Sequence, residues 1–154
     1  MKFISPIPPI PALACLLFAV MANTSAVQAQ TTPQTLYQAL GSESGISQIV
    51  DEAVGIILQD ERIKASFKET NIPRLAQLLK EQFCVISAGP CKYSGDDMKT
   101  VHQGLGINAA QFYALAEDVQ IAMDKLAIPS NTQNRLMALL APMKRDIVFP
   151  KAQP

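Results

Sequence analysis

Met98-Lys99-Thr100-Val101-His102-Gln103-Gly104-Leu105-Gly106-Ile107 holds the only histidine in a chain of 154 residues. Asp96 and Asp97 stand just before it, where a short helix draws capping oxygens and negative charge to its free N–H groups. Gly104 and Gly106 follow, where that helix has to stop. The stretch predicts a short helix with His102 in its last turn, the ring aimed at whatever the neighbouring helices enclose. Neutral imidazole is the commonest metal ligand. A lone histidine is nevertheless more often a hydrogen-bonded or surface residue, so these ten residues alone leave both readings open.

Outward from this stretch, apolar residues recur at helical spacing and nothing alternates with period two. Upstream, Thr35 to Leu40 is a short helix stopped at Gly41. From Ser44, Ile46, Ile49, Val50, Ala53 and Ile57 share one face, while Asp51, Glu52 and Gln59 look away. Glu61 to Phe67 adds a turn or two. Asn71 caps a helix with Pro73 in its first turn, where a missing N–H does no harm. That helix carries Leu75, Leu78, Leu79, Gln82, Phe83 and Ile86 on one stripe and ends at Ala88-Gly89-Pro90. Downstream, Asn108 and Gln111 look like a capping pair opening a long helix, with Phe112, Leu115, Ala116, Val119, Met123 and Leu126 inward. Pro129 breaks it. Ser130 and Gln133 are expected to cap a final helix with Leu136, Leu139, Leu140, Met143 and Ile147 inward, kinked at Pro142. The fold class is all-α, five or six helices, with one loose connection from Pro90 to Asp97.

Before this domain, Met1-Lys2 and the apolar run from Ala12 to Ala22 precede small residues at Val27-Gln28-Ala29. Together they form the pattern of a secretory signal peptide over residues 1–29. The run is short for a membrane span; an uncleaved anchor or a lipid-modified Cys15 are the alternatives. The expected product is residues 30–154, one domain, exported and periplasmic. Lysine plus arginine and aspartate plus glutamate balance at 13 each, which gives no electrostatic footprint for nucleic acid. No membrane partner is expected beyond the signal segment. Of three cysteines, Cys84 and Cys91 stay with the domain. Their spacing matches neither a zinc site nor a redox Cys-x-x-Cys. In an oxidising compartment they are expected to form a disulfide rather than remain free thiols. Closing so short a loop would contribute about 2–3 kcal/mol.

The stretch around His102, preceded by Gly89-Pro90 and Tyr93-Ser94-Gly95, resembles the proximal segment of the truncated haemoglobins, group I in particular. The resemblance runs from Leu36-Tyr37-Gln38-Ala39-Leu40-Gly41 to Leu140-Ala141-Pro142-Met143, about two thirds of the chain. It implies a truncated globin fold, a short two-over-two helical sandwich, binding haem b with His102 as the iron ligand. The cofactor slot it implies is walled by Phe67, Leu75, Leu79, Phe83, Met98 and Phe112, with Leu78, Val101 and Leu115 beside them. Tyr93, Arg74 and Lys99 are candidate partners for the haem propionates. Each apolar residue is equally an ordinary core residue. Phe67 is the partial exception, because the resemblance sets it where globins keep a phenylalanine against the porphyrin.

On the distal side the chain departs from the pattern the resemblance implies. Group I members often carry a tyrosine on the second helix and a glutamine on the helix above the haem. Gap-free matching sets Val54 and Leu79 at those positions, and Ala53 where an aromatic residue is common. With Leu75, the distal pocket is expected to be mostly hydrocarbon. Gln82 is its one polar candidate, either a donor toward the ligand or a flank residue bonded elsewhere. A donor to bound oxygen is worth about 1.5–3 kcal/mol, so its loss favours weak oxygen binding and a shift toward carbon monoxide or nitric oxide. The function expected is reversible binding of a diatomic gas (O2, CO or NO), with an unidentified reductase as a further partner. The alternatives are a nitric oxide dioxygenase or peroxidase-like enzyme and a haem-free helical module. A peroxidase needs a distal acid–base group, and the sequence offers no second histidine.

Overall fold

The computed structural model describes residues 34–149. The signal segment, Cys15 and the tail from residue 150 lie outside the described residues. Among those described, every regular element is helical. The order is α1 (Leu36–Ala39), α2 (Ser42–Ile57), a 3-10 turn (Lys64–Phe67), α3 (Ile72–Ile86), α4 (Met98–His102), α5 (Ala109–Lys125) and α6 (Ser130–Leu140), then a second 3-10 turn (Ala141–Met143) and α7 (Lys144–Ile147). None of these helices is long and apolar enough to cross a membrane.

The helix starts follow from side chains that satisfy orphan N–H groups. Thr35 and Gln38 form a capping box at α1, and Asn108 and Gln111 form another at α5. Asn71 accepts from the Arg74 N–H with Pro73 in the first turn of α3. Gly41, at φ 87°, turns the chain between α1 and α2. Pro142 does not merely kink the last helix: it converts Ala141–Met143 to 3-10 geometry and separates α6 from α7.

Two expectations for α6 are corrected. Ser130 is not a cap; Pro129 holds that place and no side chain bonds there. Gln133 is buried instead, donating to Asp124 Oδ1 at 2.7 Å and to the Ile128 carbonyl at 2.9 Å. The helix uses Gln133 to tie off the α5–α6 turn rather than its own first N–H groups. Leu139, expected inward, is exposed; the inward line runs instead through Leu136, Leu140, Met143 and Ile147.

The core lies where α2 packs on α5 and α3, with α1 and α6 closing one end. Ile46, Ile49, Val50, Ala53 and Ile57 of α2 meet Val119, Ala122 and Met123 of α5 and Leu136 of α6, all buried. α4 packs on α7, and α7 on α5. The remaining face of α3 is thereby left turned toward α4, α5 and α7 with a gap between them.

Candidate functional site

That gap is a cavity of about 340 Å³. α3 contributes Leu75, Leu78, Leu79, Gln82 and Phe83 to its wall, α4 contributes Met98, Val101 and His102, and α5 contributes Phe112 and Leu115. Phe67 and Tyr93 close it from the connecting segments. The structure thus brings together every apolar wall residue expected from the sequence, on elements as far apart in the chain as residue 67 and residue 115.

His102 sits on the cavity wall at the end of α4. Asp97 caps α4 by accepting from the Thr100 N–H at 2.9 Å and from its hydroxyl at 2.7 Å. Those two bonds hold the Asp97 carboxyl below its usual pKa. The helix lasts five residues, and Gly104 and Gly106, both at positive φ, carry the chain away. The His102 ring is half-buried, with Nδ1 2.7 Å from the Met98 carbonyl oxygen. A carbonyl only accepts, so Nδ1 carries the proton and the lone pair of the neutral ring resides on Nε2. The result is one oriented nitrogen donor on the wall of a largely hydrocarbon cavity.

The cavity's polar groups are few and mostly engaged. Gln111 spends its side chain on the α5 cap and on Ser66 Oγ, 3.3 Å away. The Gln82 amide donates to Met98 Sδ at 3.3 Å and lies 3.9 Å from Met143 Sδ. Thioethers are weak acceptors, so this N–H group is held without being strongly satisfied. Tyr93 is half-buried; burial raises its pKa, with Asp96 and Glu81 adding to the rise and Arg74 opposing it.

Other candidates stand elsewhere. Val54 does not line the cavity; it is buried in the main core, and Ile57 is the α2 residue on the cavity wall. Val54 packs among the core residues of α2, three positions before Ile57. Arg74 and Lys99 are exposed and do not line the cavity; Arg74 donates to the carbonyl and hydroxyl of Ser94. Cys84 and Cys91 are joined in a disulfide, with 5.9 Å between their Cα atoms.

The profile of the bacterial-like globins matches residues 35–149. This chain is a bacterial-like globin. It is 30% identical to the group 1 truncated hemoglobin of Mycolicibacterium paratuberculosis over 78% of this chain and 88% of that one. It is also 30% identical to that of Synechocystis, over 74% and 97%. The crystal structure of a tyrosine-to-phenylalanine mutant of truncated hemoglobin from Tetrahymena pyriformis, in its Fe(III) form, superposes with a TM-score of 0.74. That match is at 24% identity and covers 76% of the globin and all of the neighbour. The fold is therefore that of the truncated haemoglobins, and the family is one that binds haem.

The globin also contains a buried carboxyl that the inward stripe expected of α5 left out. Asp118 on α5 is 1% exposed, and its Oδ2 has no hydrogen-bond partner. Burial first, then the Asp60 carboxylate, pushes its pKa up to about 6 against the pull of Arg62. Arg62 pairs with Asp60 at 2.8 Å and Glu117 at 2.5 Å, and stands 3.7 Å from Asp118. The signal was present in the sequence: Asp118 lies four residues after Ala114 and four before Ala122, both buried. Ile63, Leu140, Met143 and Ile147 also line the cavity. Ile63 has no periodic neighbours to announce it, whereas Leu140, Met143 and Ile147 belonged to the stripe expected of the last helix.

Proposed function

We propose that the globin holds haem b in this cavity through Nε2 of His102 and reversibly binds a diatomic gas, O2, CO or NO, at the iron. The observation that carries this reading is His102 on the cavity wall with Nδ1–H fixed on the Met98 carbonyl, so that Nε2 is the free donor. The donor set fits: one imidazole, no second histidine in the chain, and walls of Phe67, Leu75, Leu79, Phe83, Met98 and Phe112. Tyr93 supplies a hydroxyl for a propionate. Haem, when bound, would supply an iron that His102 could hold and that could bind a gas.

The chain's own contribution is to orient the imidazole, exclude water and withhold proton donors. Leu75 and Leu79 of α3 offer none, and the Gln82 amide is turned toward two methionine sulfurs. A polar ligand therefore gains little from the wall, which favours rapid oxygen release and relative preference for carbon monoxide or nitric oxide. The same lack of a distal acid or base counts against peroxidase chemistry. Export to the periplasm through a leader over residues 1–29 is part of the proposal. The Cys84–Cys91 disulfide supports it, since such bonds persist in oxidising compartments. Amino-terminal sequencing of the protein from its host is expected to begin near Gln30; a chain retaining Met1 would contradict cleavage.

The functional test is a titration of the purified apo-domain with haemin, followed by reduction and exposure to carbon monoxide. A Soret band that saturates at one haem per chain and shifts with carbon monoxide is expected. A spectrum that stays that of free haemin would contradict the proposal.

A further inference from the structure

Between α3 and α4 the chain runs from Ser87 to Asp97 without regular structure, and among the described residues no backbone–backbone hydrogen bond falls on Pro90 to Asp96. Side chains of α3 hold the segment instead. Cys84 is bonded to Cys91. The Glu81 carboxylate accepts from the Ser94 N–H at 2.8 Å, and the Arg74 guanidinium donates to Ser94 Oγ at 3.1 Å and to its carbonyl at 3.3 Å. Residues 74, 81 and 84 fall on one face of a helix, so the three attachments form a line. Gly95 lets the segment lie close: a Cβ there would meet the Tyr93 hydroxyl at 2.5 Å and Leu78 Cδ2 at 2.9 Å. Two residues further on, Asp97 caps α4, and the Met98 carbonyl then orients His102. A helix of five residues has little stability of its own. Its placement depends on the segment that precedes it and on α7, against which it packs.

We propose that this line of attachments is positioning machinery for His102, and that the disulfide is its redox-sensitive member. The inference rests on the haem reading above. Cys91 is half-buried and Cys84 buried, so an incoming thiolate meets the Cys91 sulfur and Cys84 leaves. A dithiol reductant gives up two electrons and two protons and closes to its own disulfide, while Cys84 and Cys91 become two thiols. Only the three hydrogen bonds to Ser94 then hold the segment, and His102 is held less firmly.

The experiment uses the haem-loaded mature protein in three forms: oxidised, treated with dithiothreitol and desalted without air, and carrying Cys84→Ser with Cys91→Ser. Glu81→Gln and the remote core variant Ile49→Val complete the set. Two quantities are read: the rate of haem loss to an excess of a scavenging apo-globin, and the iron–histidine stretching frequency of the ferrous form. Reduction and the double serine variant are expected to speed haem loss roughly three- to tenfold and to shift the stretching frequency. Glu81→Gln should act in the same direction, and dithiothreitol should add nothing to the double variant. Ile49→Val is expected to lower stability without moving the frequency, which separates positioning from general loosening. Equal rates and frequencies in oxidised and reduced protein would overturn the inference while leaving haem binding intact. An oxidised protein that takes up no haem would overturn both.

Discussion

α2 and α3 carry similar apolar stripes yet end in different surroundings. The inward residues Ile46, Ile49, Val50 and Ala53 of α2 are at most 1% exposed because α5, α3 and α6 fill the space in front of them. Leu75, Leu78 and Leu79 of α3 are just as one-sided but only half-buried, because they face the cavity. A side chain beside a void has no partner atoms on that side and forfeits their dispersion attraction. The first region is a filled core; the second is a cavity wall that carries the chain's one imidazole.

The contrast can be broken or sharpened by substitution. Truncating the filled side should hurt most: Ile49→Ala is expected to lower the unfolding free energy of the apo-domain by about 2–5 kcal/mol in a denaturant titration. On the cavity side the largest effect should be functional. Leu79→Gln places a donor on the bare wall and is expected to slow oxygen release roughly ten- to a hundredfold in a stopped-flow measurement. No change would mean that residue 79 does not face the gas.

A third substitution probes the corner where Asp60 and Arg62 meet α5. The native state holds the proton on Asp118 more tightly than the unfolded chain does, since its pKa rises from 3.8 to about 6. Stability from this group is therefore lost as pH rises through that interval, and above it the ionised carboxylate weighs against the fold. Asp118→Asn is expected to be about 1–2 kcal/mol more stable than the parent at pH 7. The advantage should shrink as the pH falls below about 6 and disappear below the unfolded value of 3.8. Thermal melts across that range check it, and a constant difference would rule out titration of Asp118. The smallest effect belongs to Leu78→Ala, expected to cost the apo-domain about 1 kcal/mol or less, since much of its side chain already borders empty space.

Much of this was legible in the residues. The caps Thr35, Asn71, Asp97 and Asn108 announce their helices through local hydrogen bonds, and local chemistry survives folding unchanged. His102 and its two following glycines mark the centre of the site. What the residues did not reveal was which stripe would be filled. Ile49 and Leu79 are written in the same apolar code, and only the packing of distant helices distinguishes a core from a cavity wall. Val54 and Ile57 show the same limit: both are apolar residues of α2, yet only Ile57 lines the cavity. Gln133 failed for another reason: a residue three places into a helix usually serves its own cap, and here a buried carbonyl at Ile128 and the Asp124 carboxylate competed for it successfully.

The most direct test of the central claim is the absorption spectrum of the haemin-reconstituted mature domain beside His102→Ala, with and without added imidazole. The parent is expected to show a sharp Soret band that the alanine variant loses and that free imidazole restores in the vacated space. A band unchanged in His102→Ala would show that the iron, if held at all, is held by something other than this histidine.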